Sequence, residues 1–455
     1  MANNIPEIII CLLIAGCVGT VFLFSQIIHN AVGSSEISLS QIINNQPKEY
    51  SWLLRLGLNC IGYVSIFGPL YIINKYVHKT NYLDRAGSGY VSCLTRMCLS
   101  EQEKLGDTQS QTLSKADLNT KKSFLEECSL LTVCLTGLMG SYLTWGLYQE
   151  EIMTHEYINS EGKKTTFNDS QFLVFINRSL SFILALIYIS IRKQPRHRAP
   201  LYKYSFCSFS NIMSAWSQYE ALKYVSFPTQ VLAKSCKILP VMAMGKIISR
   251  VKYENYEYIT AALICIGMVF FLFGSTSDHK GNSATTMSGV ILLSLYMLFD
   301  SFTSNWQGAL FKKYSMSSIQ MMCGVNLFSA LFTLISLLQQ GGFMESIMFM
   351  TQHQKFIGDC ILLSISSASG QLFVYFTIAT FGPVVFTIIM TLRQAIAILL
   401  SCIVYGHSIT ALGIFGVLLV FCAIFLRVYC NQRLKSINQK RLNLENKPKK
   451  VAGTL

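Results

Sequence analysis

The chain has 455 residues, of which 51% are hydrophobic and only 13% charged, with a mean hydropathy of +0.41 and a net charge of +14. A soluble globular chain carries about 25% charged residues, so an ordinary soluble enzyme is excluded. The apolar residues fall in runs of about 20, the length that crosses a bilayer as a helix, and predict an all-α, polytopic membrane protein.

In chain order the apolar segments are 8–28, 57–77, 129–148, 171–191, 202–222, 227–249, 257–275, 286–307, 318–338, 358–380, 384–405 and 409–429. The first two form an N-terminal membrane region, 1–77. Segment 8–28 lacks the basic start of a secretory leader, so an anchor is expected there. A polar stretch, 78–124, reads as a cytosolic linker. Residues 125–430 hold the other ten segments on short loops, and 431–455 form a basic tail.

Charge orients these spans. Residues 427–455 hold eight basic residues against Glu445 alone, and 192–203 hold five basic residues and no acid. The loops at 246–252 and 311–317 are also basic, whereas those at 276–285 and 340–356 hold one lysine each. Positive loops stay in the cytosol, which places 78–124 and the C-terminus there. Basic clusters beside apolar spans are orientation signals, so membrane lipid and no nucleic acid is the expected setting. The sequon at Asn168 falls in the opposite, lumenal loop. A second, Asn177-Arg178-Ser179, lies inside a span, where it is unusable.

The ten-segment block carries an internal repeat. Gln218-Tyr219, Val225-Ser226-Phe227-Pro228 and Lys237 in one half answer Gln371-Leu372-Phe373, Thr380-Phe381-Gly382-Pro383 and Arg393 in the other. The motifs are five helices apart, and an odd number reverses the second half in the membrane. The prediction is a ten-helix carrier core of two inverted five-helix repeats, with one or two extra N-terminal helices and substrate near the midplane between the halves.

Three cations lie deep in this block. Lys234 and Lys237, in FPTQVLAKSCKILPVMAMGK, share a helix face with Gln230, and Lys237 is too deep for snorkelling. Arg393 sits centrally in FTIIMTLRQAIAILLSC. A basic residue at the bilayer centre costs about 2.5–3.5 kcal/mol on insertion scales, so such residues line polar pathways. Together they imply an anionic ligand of several charges. The competing interpretations are ion pairs of the lysines with Glu220 and Asp300, and an arginine that packs helices. Asp300, Ser304 and Gln307 form a polar stripe flanked by Ser301 and Asn305, which either lines a cavity or joins helices. Tyr219, Tyr375 and Asn326 are candidates to stack on or hydrogen-bond a base, against the plainer role of packing. The fifteen cysteines are scattered and no tight Cys/His cluster exists, so neither metal nor cofactor is expected. No phosphate-binding GxxxxGK[ST] loop is present, because Pro240 stands where its first glycine belongs before Gly245-Lys246.

The runs SYLTWGLYQEEIMT, KQPRHRAPLYKYSF, QYEALKYVSFPTQVLAKSCKILPVMAMGK, FDSFTSNWQGALF, SSIQMMCGVNLFSALFT and VVFTIIMTLRQAIAILLSCIVYGH resemble the drug/metabolite transporter superfamily. Within it they resemble the nucleotide-sugar transporters of the Golgi and ER, over about 125–430. The resemblance implies a Golgi antiporter for adenosine 3′-phospho 5′-phosphosulfate (PAPS), which supplies lumenal sulfation. It places Arg393 on substrate phosphate and Asn326 at the nucleobase. Gln371 joins the candidate site through the repeat. Gln230, Asn305 and Asn326 are expected to add neutral hydrogen bonds, and adenosine 3′,5′-bisphosphate is the expected counter-substrate. A UDP- or GDP-sugar carrier and a membrane-embedded transferase are the alternatives, and a homo-oligomer is compatible with the sequence.

Overall fold

A computed structural model describes residues 16, 19, 51–82, 90–99, 124–154, 156–158, 164–167, 170–192, 194, 198–221, 224–225, 230, 233–234, 236–275, 287–340, 343–404 and 411–445. The helices are α1 (Ser51–Lys79), α2 (Tyr90–Leu99), α3 (Phe124–Thr154), α4 (Ser170–Ile191), α5 (Tyr202–Ala221), α6 (Ile238–Ile248) and α7 (Asn255–Ser275). They continue as α8 (Met287–Tyr314), α9 (Ser318–Gln340), α10 (Phe343–Gln352), α11 (Gln354–Phe381), α12 (Pro383–Val404) and α13 (Ala411–Glu445). Among the described residues six helices are long and apolar enough to cross a membrane, within α3, α4, α8, α9, α11 and α13. The chain is a polytopic helical membrane protein.

Several expectations are corrected. The 78–124 stretch is not all linker: α2 lies inside it, and Leu99 is buried with Ile73, Val77 and Tyr82 in one apolar cluster. The loop at 150–170 contains an antiparallel hairpin, β1 (Glu156–Ile158) with β2 (Lys164–Thr166), so the fold is not purely helical. Helix α10 occupies most of the loop expected at 340–356, and α13 runs beyond 430 to Glu445. Segment 8–28, except Gly16 and Gly19, and Asn168 lie outside the described residues.

The helices cluster into two compact units. The first holds residues up to 215 together with 306–382, and the second holds 216–305 together with 383–455. In the first unit α4 packs on α9 and α11, and α3 packs on α11. The start of α9 is written in its sequence. Ser317 Oγ accepts from the Gln320 N–H while Gln320 Oε1 accepts from the Ser317 N–H, a reciprocal cap of the Ser-x-x-Gln type. At one end of the unit, Tyr157 from the hairpin enters an aromatic cluster with Phe167, Phe172 and Phe356 and donates to Asp359 Oδ2 at 2.9 Å.

The second unit is built on α7 against α13, which cross at glycines. A Cβ added to Gly416 would lie 2.9 Å from Phe271 Cα. Glycine therefore lets two backbones touch, the close approach that small residues give helices in lipid. Around this crossing Ile238, Val241, Ile264, Phe271, Ile388 and Val420 form the buried core.

Candidate functional site

The expected single helix over 227–249 is interrupted. Cys236 and Lys237 form a turn, and α6 begins at Ile238 with Lys237 as its N-cap. Pro240 supplies the reason: a proline has no N–H to give the carbonyl four residues earlier. That carbonyl belongs to Cys236, and it accepts instead from the Cys265 thiol on α7 at 3.8 Å. The restarted helix directs the positive end of its dipole at Lys237, and among the described residues no side chain caps this end.

Lys237 is buried, and its Nζ donates to Asp300 Oδ2 of α8 at 2.7 Å. Of the two carboxylates expected to pair with the lysines, Asp300 takes this role for Lys237. Lys234 is repelled by the charges of Lys237 and Arg393 and attracted by that of Asp300. The second unit therefore brings all three expected cations into one electrostatic neighbourhood. Lys237 is paired with Asp300, and the pair lies next to a helix N-terminus. Helix N-termini are places where anions bind readily.

The neutral residues beside this cluster are largely occupied. Gln230 donates to the Gln218 carbonyl at 2.8 Å. Asn305 spends both amide hydrogens, on the carbonyls of Val241 and Ser301, each at 2.9 Å, and so ties α8 to α6. Ser304 bonds back to the Asp300 carbonyl on its own helix. Asn305 thus joins helices, the plainer of the two interpretations of the stripe, while Ser304 bonds within its own helix. Tyr219 lies near the C-terminal end of α5.

Asn326, Gln371 and Tyr375 are gathered in the first unit, around a residue the sequence reasoning passed over. Arg178, ninth in α4, donates through Nη1 to Asn326 Oδ1 at 3.4 Å. Asn326 then donates to Gln371 Oε1 at 2.7 Å and to the Met322 carbonyl at 2.9 Å. Gln371 donates to Ser367 Oγ at 3.4 Å. Asn326 is fully buried and Tyr375 nearly so, with the Arg178 charge near enough to act on the phenol. Arg178 was legible by the same criterion that found Arg393, an arginine deep within an apolar span, but it was seen only as the middle of an unusable sequon.

Among the described residues no group of three or more His, Cys, Asp and Glu side chains is placed to hold a metal. Residues 130–431 match the UAA transporter family. The chain belongs to that family. This UAA transporter is 54% identical to adenosine 3′-phospho 5′-phosphosulfate transporter 1 of Drosophila melanogaster, over 98% of both chains. It is 50% identical to the Homo sapiens protein of the same name, over 88% of this chain and 92% of the other. UDP-galactose/UDP-glucose transporter 5 of Arabidopsis thaliana is 37% identical over 66% of this chain and 87% of its own. A UAA transporter moves solutes and is not an enzyme, so the transferase alternative is set aside.

Proposed function

We propose that this chain carries PAPS from the cytosol into the Golgi lumen for sulfation. The observation that carries the proposal is the Lys237–Asp300 pair beside the start of α6, with Lys234 within reach of the charges of Lys237, Arg393 and Asp300. A 3′-phosphomonoester adds about 1.5–2 negative charges to those of the phosphosulfate, so PAPS is the kind of ligand that a group of three cations suits. The relatives named for this substrate lend the identity of the anion. The Arabidopsis relative favours a second reading, a UDP-sugar, whose diphosphate would also suit the cluster.

The carrier core is a pair of inverted five-helix repeats working by alternating access. Three pairings support this: α4 with α9, α6 with α12 and α7 with α13. Counted from α3, with α6 in the fourth span and α10 left out, each joins a helix to the one five places later. The basic loops put the C-terminus in the cytosol.

The charge balance favours exchange. Unliganded, the cluster holds three cations close together in a low dielectric, which disfavours occlusion and reorientation. An anion on either side removes that penalty, and adenosine 3′,5′-bisphosphate, the by-product of sulfation, is the matching return ligand. Asp300 holds Lys237 while the site is empty and yields it to phosphate.

The test is uptake of labelled PAPS by proteoliposomes. Preloading with adenosine 3′,5′-bisphosphate should accelerate uptake over empty vesicles, and UDP-sugars should compete poorly. Equal rates in both vesicle types would sink exchange, and strong inhibition by UDP-galactose would replace PAPS with the second reading.

A further inference from the structure

We infer that Cys236 and Cys265 form a reversible modification site, a dithiol that a peroxide closes to a disulfide, pinning the turn that carries Lys237 to α7. The chemistry of the pair stands by itself; its consequence for transport rests on the proposed carriage of PAPS.

Both residues belong to the second unit, and both are free thiols in the structure. Cys265 lies near the middle of α7, where its Sγ donates to the Cys236 carbonyl at 3.8 Å. The two side chains also share a hydrogen bond. Among the described cysteines, this is the pair whose thiols meet.

The surroundings favour reaction. Cys236 is partly exposed and Cys265 is buried, so a small oxidant reaches one sulfur and finds the other behind it. Lys234 and Lys237 flank Cys236 in the sequence, and α6 begins two residues on, at Ile238. Cations and a helix N-terminus make the electropositive setting in which thiols react, whereas a cysteine in plain apolar surroundings is inert. The backbone leaves room for the bond to close. The residue four places after Cys236 is Pro240, which has no N–H, so a shift of the Cys236 carbonyl opens no α-helical hydrogen bond.

The chemistry balances with hydrogen peroxide as oxidant. The Cys236 sulfur attacks one peroxide oxygen, the O–O bond breaks, and a sulfenic acid and water result. The Cys265 sulfur then attacks the sulfenic sulfur. The S–S bond forms, the S–O bond breaks, and the hydroxyl leaves as water with the Cys265 proton. Two thiols lose two electrons and two protons, and one peroxide becomes two waters. The product ties the Lys237 turn to α7, which itself meets α13 at the glycine crossing. In the proposed cycle Lys237 leaves Asp300 for phosphate. A pinned turn slows that step, and a reducing thiol releases it.

The experiment treats the full chain in proteoliposomes with hydrogen peroxide, blocks the remaining thiols and digests without reductant. Mass spectrometry should find the Cys236 and Cys265 peptides joined, and dithiothreitol should separate them. Labelled PAPS uptake should lose most of its rate on oxidation and recover it with dithiothreitol. Cys236→Ser and Cys265→Ser, each compared with its own untreated rate, should lose little, which separates this pair from the rest of the fifteen cysteines. Absence of the joined peptide, or oxidation of Cys236 to a sulfinic acid without it, overturns the site. A joined peptide with unchanged uptake overturns the inference too, as do serine variants that lose as much rate as the wild type. If Cys265→Ser does not fold, the joined peptide and Cys236→Ser decide. Failure of untreated wild-type protein to take up PAPS would remove the carriage proposal, and the peptide measurement, which needs no substrate, would still test the pair.

Discussion

The two units place polar side chains in a hydrocarbon setting by different means. The second unit uses full charges at a break in a helix and pairs one of its cations, Lys237, with a carboxylate of its own, Asp300. The first uses intact helices and a directed hydrogen-bonded chain, Arg178 to Asn326 to Gln371. Amides satisfy one another inside a packed helix group, so a continuous helix tolerates them. Three cations need a helix dipole, a counter-ion and an anionic ligand to be endured in low dielectric.

The largest effect should come from reversing a charge in the cation cluster. Arg393→Glu changes the local balance by two units and leaves the two lysines facing two carboxylates. At an effective dielectric of 20, one charge at 4 Å is worth about 4 kcal/mol, so uptake should fall by roughly a hundredfold or more while the protein remains folded and correctly sorted. Preserved uptake would show that Arg393 packs helices and does not touch the ligand.

Removing Lys237 should act on stability as well as transport. Lys237→Ala takes the direct ion-pair partner from the half-buried Asp300, at a cost of about 1.5–3 kcal/mol. The double variant Lys237→Ala/Asp300→Ala should recover thermal stability without recovering uptake. Asp300→Asn alone should remove the counter-charge of Lys237, tightening PAPS binding and slowing turnover. If the double variant melts as low as the single one, the ion pair is not the reason for the loss.

Next in size is the glycine crossing of α7 with α13. Gly416→Val drives a branched side chain into backbone atoms of Gly267 and Phe271, and overpacking of this kind costs about 1–3 kcal/mol. Melting of detergent-solubilised protein measures it. A neutral outcome would mean that the two helices part easily, and that the rigidity of the second unit comes from elsewhere.

Much of this was legible in the sequence, because lipid imposes a simple rule: apolar runs become helices, and a charge inside one needs a reason. That rule located Lys234, Lys237, Arg393 and the stripe at Asp300. It did not reveal that Pro240 opens the helix at Cys236, since one periodic pattern runs through both sides of the break. Pro240 was weighed only as a missing glycine. Whether Asn305 faces a cavity or the carbonyl of Val241 depends on a neighbouring helix 64 residues away in sequence, which spacing within one helix cannot supply. The hairpin at 156–166 was lost for the opposite reason: three-residue strands carry too little alternation to stand out from a loop.

The smallest effect separates the units most sharply. In the first unit Ser141 of α3 and Ser369 of α11 share a hydrogen bond of 3.0 Å between neutral hydroxyls. Ser369 also donates to the Ser366 carbonyl of its own helix at 2.8 Å, so its proton has a partner whether or not α3 is near. Interhelical hydrogen bonds in bilayers average about 0.6 kcal/mol because separated helices satisfy their side chains in just this way. Ser369→Ala should therefore shift thermal stability by about that amount and leave the PAPS uptake constant alone. A loss several times larger would mean that α3 and α11 are held by polar pairing, and not by packing such as that of Gly137 beneath the Phe373 ring. The contrast between a unit governed by charge and one governed by neutral contacts would then have to be redrawn.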